Sequence, residues 1–242
     1  MKSQHVTTVL FDLDGTLLPM DQDRFAALYF QTLAQKLAPY GYDPEQLIQS
    51  IWAGIAAMVK NDGSRTNEGV FWELMLARYG EKIRGDIPVF EDYYRKEFQQ
   101  IRSACGRNPM AAQTVHRLKE LGYGVALATN PVFPFQATES RIRWAGLEPT
   151  DFAFYTSYEN SSHCKPNPAY YLEVADRMGV LPEHCLMVGN DMIEDTAAAQ
   201  VGMAVFILTD CLIDKNGTGA DAYPNGSFPE LIRYLTKTEA DQ

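Results

Sequence analysis

Val9-Leu10-Phe11-Asp12-Leu13-Asp14-Gly15-Thr16-Leu17-Leu18 is the stretch that decides how this chain folds. The apolar, β-forming run from Thr7 to Phe11 reads as a strand buried on both faces. It ends in two carboxylates, Asp12 and Asp14, followed by a glycine and a hydroxyl. In an open α/β sheet, ligands bind outside the carboxyl ends of the strands. The two acids are thus delivered to the place where such folds do chemistry. Carboxylates this close repel unless a cation lies between them or one takes a proton. Both outcomes suit catalysis, as a metal site or as a nucleophile beside an acid/base. Asp and Gly are also common turn residues, so the rest of the chain has to decide.

Working outward, Asp21 to Ser103 is helical in pattern and carries no convincing strand. Helices are expected over Asp23 to Leu37, from Pro44 to about Val59, over Gly69 to Tyr79 behind a Thr66 or Asn67 cap, and from Asp86 and Pro88 to about Arg102. After Gly106 the texture changes to strands alternating with helices, which implies βαβ units and a parallel sheet. Strands are expected over Gly124 to Ala128, Phe152 to Thr156, Cys185 to Val188 and Ala204 to Leu208. Helices are expected over Pro109 to Leu121, Pro134 to Ala145, Pro168 to Met178 and Asp195 to Val201, with a capping box at Ser227-Phe228-Pro229-Glu230 opening the last. The fold class is therefore α/β, a Rossmann-like core with a parallel sheet and an inserted all-helical unit. The core is expected over 1–18 and 106–242, and the insert over 19–105.

Composition narrows the function. The 242 residues carry 21 basic and 31 acidic side chains, a net charge of −10. That balance argues against a nucleic-acid binder, which needs a basic face. No segment approaches the roughly 18 apolar residues of a membrane span. Cys105, Cys164, Cys185 and Cys211 form no CxxC pair, and four free thiols fit a reducing compartment. The N-terminal apolar run is short and meets Asp12 at once, unlike a secretory signal, so a cytoplasmic location is expected. Monomer and dimer both remain open.

Further features fall at strand ends. Thr129-Asn130-Pro131 ends a buried strand in groups that can hydrogen-bond an oxyanion. Lys165-Pro166 pins a lysine just ahead of a helix, where it can neutralise an anion. Gly189-Asn190-Asp191 through Asp195 places acids after another strand, with Asp191 and Asp195 one helical turn apart. Glu194 reads as an ordinary first-turn acid.

Taken in this order, the motifs resemble those of the haloacid dehalogenase superfamily of phosphatases and phosphotransferases. The matches are Asp12, Asp14 and Thr16 of DxDGT, Thr129-Asn130, Lys165-Pro166, and the acidic run from Gly189 to Asp195. The helical insert looks like that family's C1 cap. The resemblance implies that Asp12 is a nucleophile forming an aspartyl-phosphate and that Asp14 is the general acid/base. It implies Mg²⁺ held by the Asp12 carboxylate, the Asp14 carbonyl and Asp191, with Asn190 and Asp195 in support. Many members have Gly-Asp where this chain has Gly189-Asn190, which leaves Asn190 or Asp191 as the ligand; a carboxylate is the better Mg²⁺ ligand and favours Asp191. Thr129, Lys165, Asn130 and the backbone amides around Leu13 would bind the phosphoryl group.

Asp14 points to phosphoryl transfer rather than dehalogenation, because a carbon–halogen bond has no leaving oxygen to protonate. The expected function is a Mg²⁺-dependent phosphatase acting on a small phosphorylated metabolite. A phosphomutase and a non-catalytic module on the same fold are the alternatives. In the polar turn Asn61 to Asn67, Arg65 is the candidate to grip a distal anion of the substrate.

Overall fold

The computed structural model describes residues 6–236. Strands β1 (Thr8–Phe11), β2 (Gly124–Leu127), β3 (Cys185–Gly189), β4 (Ala204–Leu208) and β5 (Asn225–Gly226) form one five-stranded parallel sheet in the order β2-β1-β3-β4-β5. Register pairs Phe11 with Leu127 on one side and with Val188 on the other, so these three strands end level with one another. Successive strand residues face opposite ways. Val9, Phe11, Leu127 and Val188 join one apolar cluster, while Leu10, Ala126, Met187 and Ile207 join another. Both faces are covered, which explains why the strands read as unbroken apolar runs. The connections leave β1 in opposite directions, so a crevice opens at the β1/β3 switch point.

Helices α1 (Gln22–Leu37), α2 (Pro44–Val59), α3 (Asn67–Tyr79) and α4 (Lys82–Arg95) lie between β1 and β2, followed by a 3-10 segment over Glu97–Ala104. Asp21, Asp43 and Thr66 cap the first three of these helices, each accepting a backbone N–H three residues on. Helices α5 (Pro109–Glu120), α6 (Phe135–Trp144), α7 (Pro168–Met178) and α8 (Phe228–Thr236) complete the core, and Glu230 accepts the Ser227 N–H at the start of α8.

The two strands of chain joining insert to core run side by side. Met20 and Cys105 form an antiparallel bridge, and Gly106 N donates to Pro19 O at 2.7 Å. Beyond them, Phe25, Tyr29 and Phe98 of the insert pack on Phe133 and Trp144 of the core, with Phe98 stacked on Trp144 at 5.3 Å and Tyr29 edge-on to Phe133 at 5.3 Å.

Four elements differ from the expectation. The short strand β5 is not among the expected strands. The fourth helix starts earlier, at Lys82, because Ile83, Phe90 and Tyr93 give it a buried face that carries it through Pro88. The expected strand Phe152 to Thr156 forms no full strand; it runs along the edge of β2, with an isolated parallel bridge at Tyr155 and backbone hydrogen bonds linking Ala153, Phe154 and Thr156 to Val125 and Leu127. Asp195–Val201 is a 3-10 segment rather than an α-helix.

Candidate active site

The carboxyl ends of β1, β2 and β3 bring together residues far apart in the chain. Asp12 is the first residue past β1, and its N–H donates to Val188 O at 2.9 Å, which fixes it against β3. Lys165 Nζ donates to Asp12 Oδ1 at 2.9 Å and to Asp195 Oδ1 at 2.7 Å. Thr16 Oγ1 lies 3.0 Å from Asp12 Oδ2 and 2.9 Å from Asn190 Oδ1, and its one proton serves either acceptor. The Lys165-Pro166 peptide is cis.

Glycines make this density possible. At Gly15, φ is +89° and an added Cβ would lie 2.4 Å from Asn190 Nδ2. At Gly189, an added Cβ would overlap the Asp195 carboxylate, which approaches to 2.0 Å. The glycines of both motifs are there for close approach.

Asp195 Oδ2 accepts the N–H groups of Asn190 and Asp191, each at 2.9 Å. Asp195 thus holds Lys165 with one oxygen and shapes the β3 loop with the other. Both ends of the Asn190 amide are occupied, since Nδ2 donates to Cys211 O at 2.7 Å. Asn190 ties the β1 loop to the β4 loop. Asp191 Oδ1 accepts from Ile193 N at 2.7 Å and Glu194 N at 2.9 Å.

Burial sets the electrostatics. Loss of water pushes the Asp12 carboxyl up to about 7; Lys165 opposes that rise, and Asp195 and Asp14 add to it. Burial works against the Lys165 charge, but Asp12 and Asp195 outweigh it and hold the ammonium protonated. Asp14 is raised by burial and pulled back by Arg141 and Lys165.

Two residues stand differently from the sequence reading: Arg141 carries no motif there, and Glu194 reads as an ordinary first-turn acid. Arg141 on α6 is 1% exposed, and its Nη1 pairs with Asp14 Oδ2. Helical spacing was its only signal, because Ala137, Thr138, Ile142 and Trp144 share its buried side of α6. Glu194 is not a solvated first-turn acid. It accepts a hydrogen bond from Asn130 Nδ2 at 3.2 Å, and burial lifts its carboxyl to about 7.

Thr129 is 2% exposed, and its carbonyl accepts from Thr156 Oγ1 at 2.7 Å and Tyr170 OH at 2.8 Å. The Leu13 side chain is core, so only its backbone can face a ligand. Arg65 does not join the cluster. Its guanidinium pairs with Glu73 Oε2 at 2.6 Å, with side chains 51% and 65% exposed. The turn that carries it does meet the core. Asn67 is fully buried, its N–H donates to Ser161 O at 2.8 Å, and its Nδ2 reaches Pro131 O at 3.2 Å and Cys164 Sγ at 3.3 Å. Phe71 and Trp72 are packing residues: Phe71 lies edge-on to Trp72, and Trp72 edge-on to Phe90. With Tyr29 and Phe133 they line a cavity of about 20 Å³, room for little more than a water.

Comparison with known proteins agrees with this geometry. The family of haloacid dehalogenase-like hydrolases matches residues 6–202. A phosphoglycolate phosphatase from Salmonella choleraesuis is 30% identical over 218 residues, covering 83% of this chain and 80% of that one. The fold is shared with a HAD phosphatase from Thermococcus onnurineus (TM-score 0.57, 21% identity, 98% of each chain). It is shared equally with a 2-haloacid dehalogenase from Pseudomonas syringae pv. Tomato (TM-score 0.61, 20% identity, 95% of this chain and 98% of that one). By the extent of the family match, the arrangement around Asp12 and the shared fold, this chain belongs to the haloacid dehalogenase-like hydrolases.

Proposed function

We propose that this protein is a Mg²⁺-dependent phosphatase that hydrolyses a small phosphorylated metabolite through an aspartyl-phosphate on Asp12. The observation that carries this reading is the second acid. Asp14 lies beside Asp12 with its side chain partly buried, and its Oδ1 is covered and has no hydrogen-bond partner. A phosphate ester has a leaving oxygen that needs a proton; a carbon–halogen bond has none. The fold is common to phosphatases and dehalogenases, so Asp14 and not the sheet separates the two.

The residues present fit a divalent cation. Among the described residues, Asp12, Asp14, Glu194 and Asp195 lie within electrostatic reach of Lys165, with Arg141 paired to Asp14 and Asp191 close to Glu194. Burial is the main cause of the raised Asp12 and Glu194 carboxyls, and the neighbouring carboxylates add to it. Among the described residues no three His, Cys, Asp or Glu side chains converge to hold a metal by themselves. The proposed ligand set asks for less: two carboxylates, Asp12 and Asp191, and the Asp14 carbonyl. When bound, Mg²⁺ would neutralise charge on the phosphoryl oxygens.

The chain's own residues supply the rest. Asp12 attacks phosphorus while Lys165, itself anchored by Asp195, holds it in place. Lys165, Thr129 and the backbone around Leu13 stabilise the equatorial oxygens. Asp14 protonates the departing alcohol and then takes a proton from the water that hydrolyses the aspartyl-phosphate. The helical cap closes over this crevice and excludes bulk water.

A panel of phosphate monoesters with Mg²⁺ tests the reading, with phosphoglycolate included because relatives act on it. Free phosphate should be released, and EDTA should abolish the release. An isomerised product without phosphate would establish the mutase instead, and full activity in EDTA would overturn the metal site.

A further inference from the structure

Arg141 heads the largest side chains with less than 2% exposure. An arginine cannot shed its proton, so its charge is buried with it. Its guanidinium is fixed on several sides. Nε donates to Ala137 O at 3.3 Å and Nη2 to Thr138 Oγ1 at 3.3 Å, both on its own helix. The Phe133 ring lies against it, 4.7 Å from Cζ to centroid. Among the described residues, its one hydrogen bond beyond its own helix runs from Nη1 to Asp14 Oδ2, across 127 residues of sequence.

Asp14 is thus gripped by one oxygen. Its other oxygen, Oδ1, is buried and has no partner, as is Asn130 Oδ1 on the facing loop. Buried acceptors are ordinarily satisfied. Two orphans on facing loops of one site are places kept for groups that arrive with the substrate.

We propose that Arg141 is the positioning residue of Asp14: it pins Oδ2 and thereby reserves Oδ1 as the oxygen that exchanges a proton with the leaving group. This rests on the phosphatase reading above. In the first half-reaction an Asp12 oxygen bonds to phosphorus, the ester P–O bond breaks with its electron pair going to the leaving oxygen, and the proton on Asp14 Oδ1 moves to that oxygen. In the second, water attacks phosphorus, its proton goes to Oδ1, and the Asp12–phosphorus bond breaks. A carboxyl free to turn would present either oxygen; one held by a buried guanidinium presents one. The far side of Phe133 meets Phe25 and Tyr29 of the insert at 6.1 and 5.3 Å, so the floor under Arg141 is also part of the cap contact.

The test compares single-turnover phosphoryl transfer from an alkyl phosphate and from p-nitrophenyl phosphate, whose leaving group needs no proton. Arg141→Gln should slow the alkyl ester by about 10²-fold, the low end for general acid catalysis. Transfer from p-nitrophenyl phosphate and the inhibition constant of inorganic phosphate should stay near wild type. Asp14→Asn should show the same selectivity, and Arg141→Lys should recover part of the alkyl rate. Should the glutamine variant not fold, Arg141→Lys and Phe133→Leu carry the comparison, each with a smaller loss confined to the alkyl ester. Equal losses for both esters, or no loss for either, would overturn the role of Arg141. A wild-type protein that releases phosphate from neither ester would overturn the phosphatase reading instead.

Discussion

Lys165 Nζ and Asp195 Oδ1 are 2.7 Å apart, and neither side chain is more than 1% exposed. Asp195 is also the anchor for two backbone N–H groups of the β3 loop. One carboxylate therefore holds the lysine proposed to bind the phosphoryl group and the loop proposed to carry the metal ligand. Removing it leaves an ammonium with half its partners and strips the Asn190 and Asp191 N–H groups, the first of them buried, of their acceptor.

Asp195→Ala should accordingly be among the most damaging single changes in the core, costing about 3–5 kcal/mol, the usual penalty for breaking a buried ion pair. Urea denaturation measures it. A loss below about 1 kcal/mol would mean that water or Asp12 replaces what Asp195 supplies.

Asp12→Asn should behave oppositely. It removes a charge from a cluster with too many, while Lys165 keeps Asp195. Folding stability should change by about 1 kcal/mol or less, the scale of one hydrogen bond. Turnover should vanish, because an amide is a poor nucleophile. Near-native phosphate release from this variant would rule out the covalent route.

Asn67 links the insert to the core. It is fully buried, and its amide reaches Pro131 O, Cys164 Sγ and the Asn61 side chain. Asn67→Ala should cost about 1–3 kcal/mol by leaving buried partners unsatisfied. On the proposed reading, in which the insert closes over the crevice, it should also raise KM more than it lowers kcat. An unchanged KM with normal stability would show that the docked α3 end does not govern closure.

Arg65→Ala should do little. The pair with Glu73 is exposed, and such pairs contribute about 0–1 kcal/mol. Values of kcat/KM should shift slightly and uniformly across anionic substrates and p-nitrophenyl phosphate. A selective fall for substrates with a distal anion would bring Arg65 back as a substrate residue.

Much of this was legible one-dimensionally. The run Thr7 to Phe11 announces a strand covered on both faces, and the alternation after Gly106 announces a parallel sheet. Asp12, Lys165, Asn190 and Asp195 each lie beside a strand end or a proline-fixed turn, where local rules apply. Their convergence follows from the register that ends β1, β2 and β3 level. The edge segment at Tyr155 and the 3-10 segment at Asp195–Val201 were less legible, because they hang on few hydrogen bonds supplied by neighbours.

The sequence by itself determined the α/β class, the helical insertion after the first strand, and the residue types at the crevice, since these follow from hydrophobic period, breakers and short motifs. Only the tertiary structure decided which charges meet. Arg141 and Glu194 look like ordinary helix and loop residues until burial strips their water and leaves Asp14 and Asn130 as their partners. Arg65, a natural anion ligand by type, is left at the surface beside Glu73. Periodicity is a local property and can be read along the chain. Desolvation and the pairing of distant charges depend on distances that exist only once the chain has folded.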